Sequence, residues 1–187
     1  MQTSRRAYAV ATIIALLIAL TAAFYKFVVE SPPESLRAIP LLGEINSDHA
    51  HTSLMIMVGD RPINFCDPKF MVKSPLVHFE ENNCFVVHKH ATGVTLQTFL
   101  PSIGVTLTSE CLELPSAPSV CNEGVRRLRV VYNGTEIPVS ELAYRELRNN
   151  DHILINYGAE DDLKLRFKYN QVPNIPTHIN QPFLGSQ

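Results

Sequence analysis

The sequence predicts an α+β fold, mostly β, in which one N-terminal transmembrane helix is followed by an extracytoplasmic domain of hairpins and one short helix. Three observations carry this expectation. Ala7 to Phe24 runs without a charged residue, two apolar runs are each closed by a turn pair, Gly59-Asp60 and Asn133-Gly134, and Thr95 to Leu100 has helical character. The expected organisation is a cytoplasmic N-terminus over 1–6, an anchor over 7–29, a stalk over 30–46, a His-rich module over 47–114, a disulfide-bearing linker over 115–124, a β-grasp-like module over 125–169 and a flexible tail over 170–187.

The anchor comes first. At about 1.5 Å per residue the run from Ala7 covers most of the roughly 30 Å hydrocarbon layer, and Phe24, Tyr25, Lys26, Phe27, Val28 and Val29 complete it at an aromatic edge. Arg5 and Arg6 precede the run. Positive flanks stay in the cytoplasm, so the remainder is expected outside. A cleaved signal peptide is the rival, because Thr21-Ala22-Ala23 offers small residues for processing, but the run is long for a signal peptide.

The outer part is read as hairpins and strands. Leu54–Val58 with Ile63–Phe65 forms one expected hairpin, and Leu128–Tyr132 with Ile137–Val139 the other. Asn-Gly tolerates the positive φ angles of a two-residue turn. Each hairpin precedes a further strand, Leu76–Glu80 in the first half and His152–Tyr157 in the second, which suggests related modules. Phe85–His90 and Val105–Thr108 are further strand candidates, and Gly104 is the expected stop of the helix opened at Thr95. Asn133-Gly134-Thr135 is also a glycosylation sequon, although a plain turn explains it.

Composition removes some functions. The net charge of -2 is spread along the chain without a block of one sign, so nucleic acid is not an expected partner. No Gly-rich phosphate loop is present, and no nucleophile geometry follows from the spacing. Six of the thirteen prolines fall in 31–40 and 171–182, which read as stalk and open tail.

The histidines are the informative feature. Five of seven fall between positions 49 and 90, as His49-Ala50-His51, His78 and His88-Lys89-His90. Residues two apart in a strand project from one face, whereas in a helix they diverge by about 200°. If the strand starting near His49 lies beside the one ending near His90, four imidazoles meet, with His78 as a fifth. Neutral imidazole ligates Zn, Cu, Ni or Fe, so His49, His51, His78, His88 and His90 are the candidate metal ligands and Cu or Zn the candidate cofactor. A hydrogen-bonded or pH-responsive His cluster is the rival reading. Met55 and Met57 share a face and read as core rather than thioether ligands. Asp48, Asp60, Glu80 and Glu81 are weaker candidates, with turn or solvent roles expected, and His152 and His178 read as ordinary residues.

Four cysteines, Cys66, Cys84, Cys111 and Cys121, stand too far apart for a Cys-x-x-Cys motif. An exterior compartment and an even count favour two structural disulfides. Of three connectivities, the local one is expected: Cys66 with Cys84 and Cys111 with Cys121.

The string Asp48-His49-Ala50-His51, the hairpin end Pro62–Phe65, the strand Val77–Glu80 and above all Val87-His88-Lys89-His90-Ala91-Thr92-Gly93-Val94-Thr95-Leu96 resemble a family of membrane-anchored archaeal proteins. The similar half continues through His152–Gly158. Members of this family are often labelled protein-disulfide isomerase. The resemblance implies the anchor and the outer fold, and it makes thiol-disulfide exchange the alternative to a metal-binding or interaction module. A membrane protein is the candidate partner.

Overall fold

The computed structural model describes residues 2–26, 38–71, 73–80, 83–115 and 117–176. They fall in two compact units, Met1–Ala38 and Ile39–Gln187.

The first unit holds α1, Gln2–Tyr25. Its side chains are described from Ala11, and Ile13, Ile14, Leu16, Leu17, Ile18, Leu20 and Phe24 are all exposed. Among the described residues no helix is long and apolar enough to cross a membrane. The expected span over 7–29 is therefore not met among the described residues. Residues 27–29 lie outside the described residues, as do Glu81 and His178.

The second unit is a mixed, sheet-dominated α/β structure. Its elements in chain order are β1 (Ala50–Val58), β2 (Arg61–Pro62), β3 (Val77–Glu80), β4 (Asn83–Lys89), α2 (Leu96–Ser102), β5 (Thr106–Leu107), β6 (Cys111–Glu113), β7 (Val120–Cys121), β8 (Arg127–Tyr132), β9 (Thr135–Ile137), β10 (His152–Gly158) and α3 (Asp162–Tyr169). The main sheet runs β3-β4-β1-β10-β8-β9, with β2 also paired to β1. The central contact is the parallel β1–β10 ladder, which joins strands some hundred residues apart. Residues expected to form separate modules over 47–114 and 125–169 thus contribute to one sheet. A second sheet, β5-β6-β7, is small.

Alternation along the strands gives the main sheet two faces. Leu54 and Ile56 of β1, Phe79 of β3, Val87 of β4, Val130 of β8 and Ile155 of β10 share the larger core with Phe65, Phe99 and Leu100. Phe79 stacks on Phe65 at 4.8 Å and meets Phe99 edge-on at 5.1 Å between centroids. Each such buried ring contributes about 1.5–3 kcal/mol relative to an exposed one. On the opposite face Met55, Met57, Val131 and Leu154 pack under Leu165 and Val172. Both methionines are core, as their strand setting suggests.

The hairpins form with adjusted ends. Asn133 and Gly134 take φ of 49° and 79°, the double positive that an Asn-Gly turn supplies. β9 stops at Ile137, because Pro138 leads into a 3-10 turn over Val139–Ala143. In the first hairpin the return strand is only Arg61–Pro62; the Asn64 side chain then accepts from Cys66 N and bends the chain away. Thr95 caps α2 by accepting from Thr98 N, and Gly104 follows at φ 75°. No expected element covers α3, which is largely polar outside Leu163, Leu165 and Phe167 and forms on its Asp161 cap, 2.8 Å from Lys164 N. Cys66 pairs with Cys84 and Cys111 with Cys121, the latter across adjacent strands.

The sequon asparagine is committed to structure. Asn133 Nδ2 donates to Asp151 Oδ1 at 2.8 Å, while its Oδ1 accepts from His152 N at 2.8 Å.

Candidate metal centre

Three strands bring the histidines together. β4 pairs antiparallel with β1 so that His51 lies opposite His88, and with β3 so that His78 lies opposite His88. The three imidazoles therefore form a row across the sheet on one face, the face that also carries Ser53, Met55 and Met57 on β1. His49 immediately precedes β1, and His90 immediately follows β4. All five expected ligands meet at this end of the sheet.

The rings are in mutual contact. His49 and His88 approach to 3.1 Å between Nε2 atoms, and His78 and His90 to 3.2 Å. His88 lies 4.1 Å from His90 and 4.4 Å from His51 between ring centroids. One ligand nitrogen each from His49, His88 and His90 falls within a set whose members are all within 4.8 Å of one another. With metal–nitrogen bonds of about 2.0–2.1 Å, two cis ligands of one ion stand about 2.9–3.4 Å apart, so the closest contacts already have the length of a coordination edge. His51 is nearly buried, at 3% exposure, and stacks on His88 with 29° between planes. His78 lies within 20° of the His88 plane and within 21° of the His90 plane. These two flank the triad.

Crowding sets the protonation. Burial, followed by the neighbouring His51, His90, His49 and His78, pushes the His88 imidazole down to about 3. His90 is also lowered, by burial and then by His49. Both are neutral at physiological pH, the form a metal requires.

A charged network behind the triad fixes its geometry. Lys89, between the two ligand positions of β4, points to the opposite face and is 1% exposed. Its Nζ contacts Asp48 Oδ2 at 2.6 Å and Glu146 Oε1 at 2.8 Å. Asp48 Oδ1 accepts from His49 N at 2.7 Å, and Glu146 Oε1 also accepts from Gly93 N at 2.7 Å. Thus one ammonium ties down both the residue before His49 and the loop after His90. That loop needs its glycine, since Gly93 has φ 74° and a Cβ there would collide with the Leu41 carbonyl. The segment before β10 adds support: Asn149 Oδ1 accepts from His51 N at 3.1 Å, and Asn150 N donates to His51 O at 2.9 Å. Spacing in the sequence identified the five histidines but not Glu146 or Asn149, whose approach depends on the β1–β10 pairing. Asp48 is a positioning carboxylate. Asp60 pairs with Lys164 and Lys168 on α3, away from the triad. His152 lies outside the cluster, with its ring 5.1 Å from that of Tyr169.

Replacing Lys89 by methionine keeps the aliphatic stem and removes the tie. Supporting contacts of this kind are worth about 10–100-fold in metal affinity, and a loss in that range is expected by competition with a chromophoric chelator. Unchanged affinity in a folded Lys89→Met protein would show that the network does not position His49 and His90.

No family model, curated protein or solved structure matches this chain.

Proposed function

We propose that this protein is a membrane-anchored, extracytoplasmic module that binds one transition-metal ion, Cu or Zn, through His49, His88 and His90, with His51 and His78 packed beside them. The observation that carries the reading is the convergence of three imidazole nitrogens, from the start of β1 and the end of β4, within 4.8 Å. Nitrogen donors alone suit Cu(II) and Zn(II). Sulfur takes no part: Met55 and Met57 are core residues, and all four cysteines are paired. The same pairing weighs against thiol-disulfide exchange, which needs an accessible thiolate. Purified full-length protein titrated with Cu(II) and Zn(II) is expected to take up about one ion per chain with a Kd below about 1 μM. A folded protein that binds neither metal this tightly overturns the reading.

The anchor is supported by the charge-free run from Ala7 to Phe24, by the exposed leucines and isoleucines of α1, and by Arg5 and Arg6 as the inner flank. Protease added to intact cells is expected to remove the metal module and leave a cytosolic marker whole. Protection of both reverses the orientation.

A further inference from the structure

A divalent ion on three imidazoles is neither charge-balanced nor coordinatively complete. Imidazole donors are neutral, so the ligands remove none of the ion's charge. The nearby Asp48–Lys89–Glu146 network carries a net single negative charge, which leaves about one positive charge uncompensated. Neither carboxylate is placed to ligate. Both Asp48 oxygens are engaged, by His49 N and Lys89, and Glu146 Oε1 is shared between Lys89 and Gly93 N. Among the described residues no carboxylate oxygen joins the three nitrogens of the group.

His49 is exposed whereas His88 and His90 are partly buried, so the group is reachable from solvent at the His49 ring. His51 stacks against His88, and His78 Nε2 lies 3.2 Å from His90 Nε2. Three protein ligands with a fourth position toward solvent is the arrangement that admits an exogenous ligand, in contrast to a closed four-ligand structural site.

We propose that the metal-loaded centre binds a small monovalent anion from solvent at this fourth position. The proposal rests on the metal reading above. An anion of single charge supplies the missing ligand and neutralises the remaining charge in a partly desolvated site. The centre is then a ligand-binding site rather than a structural cross-link.

The test uses the purified full chain loaded with Cu(II), with the copper content measured first. Absence of copper refutes the metal reading itself and takes this inference with it, whereas the remaining outcomes concern the inference alone. Sodium azide is titrated in, followed by the azide-to-copper charge-transfer absorption and by electron paramagnetic resonance. A saturable 1:1 response with copper retained after dialysis is expected, and acetate should compete for the same position. A loaded protein whose spectra do not respond overturns the proposal, and so does a response accompanied by loss of copper. His51→Ala and His78→Ala identify a closed site: an azide response seen only in one of these variants means that this imidazole occupies the fourth position in the native protein.

Discussion

Replacing His88 and His90 together by alanine is expected to reduce bound Cu or Zn from about one ion per chain to background, by elemental analysis after dialysis. His152→Ala should leave the content unchanged. His88 in β4 and His90 just after it supply two of the three converging nitrogens, and the one nitrogen of the group that remains, on His49, cannot hold an ion at micromolar concentration. Removing a part-buried cluster member whose protonation is opposed by its neighbours should not unfold the sheet, since the cores of Leu54, Val87 and Ile155 on one face and Met55 and Leu154 on the other are untouched. Retained far-UV circular dichroism with lost metal is the supporting result. A double variant that keeps stoichiometric metal excludes β4 as the ligand strand.

Each His-x-His pair was legible in the sequence from local periodicity, although the meeting of the pairs also needs β1 and β4 to lie side by side. His-x-His in extended backbone presents both rings on one face whatever the fold, and Asn133-Gly134 announces its turn by tolerance of positive φ. Strand partners are a different matter. The β1–β10 ladder pairs Ser53 with His152 and Val58 with Tyr157, and no residue in either strand encodes a partner about a hundred positions away. Glu146 and Asn149 reach the centre only through that ladder, so they could not be read beforehand. Lys89 stands between two candidate ligands and is among the largest fully buried side chains. A long charged side chain enters a core only when its partners are preassembled.

The same argument governs Lys168, where the largest stability effect is expected. Its side chain is 2% exposed, and Nζ reaches Gly59 O at 2.6 Å, Asn156 Oδ1 at 3.2 Å and the Glu160 carboxylate, itself 5% exposed. It joins α3 to the β1–β2 turn and to β10. Lys168→Met removes the cation and leaves Glu160 buried beside Asn156, a change that costs about 3–5 kcal/mol, a large share of a total stability of about 5–15 kcal/mol. Burial alone would raise the Glu160 carboxyl, but its bonds to Lys168 and Asn156 outweigh that and hold it below the usual value. A depressed carboxylate contributes stability above its unfolded pKa, near 4.5, and loses it as the pH falls through the folded value. In Lys168→Met the sign reverses, because an unpaired buried carboxylate takes up a proton more readily than in the unfolded chain. The stability difference between wild type and variant, from urea unfolding, should therefore be greatest near neutrality and shrink as the pH falls, first through the raised value of the variant's carboxyl above about 4.5 and then through the depressed wild-type value below it. Adding Glu160→Gln to Lys168→Met should recover part of the loss at neutral pH. A loss below about 1 kcal/mol, or one independent of pH, would mean that the pair is hydrated in solution and that α3 is held by Leu165 and Val172 alone.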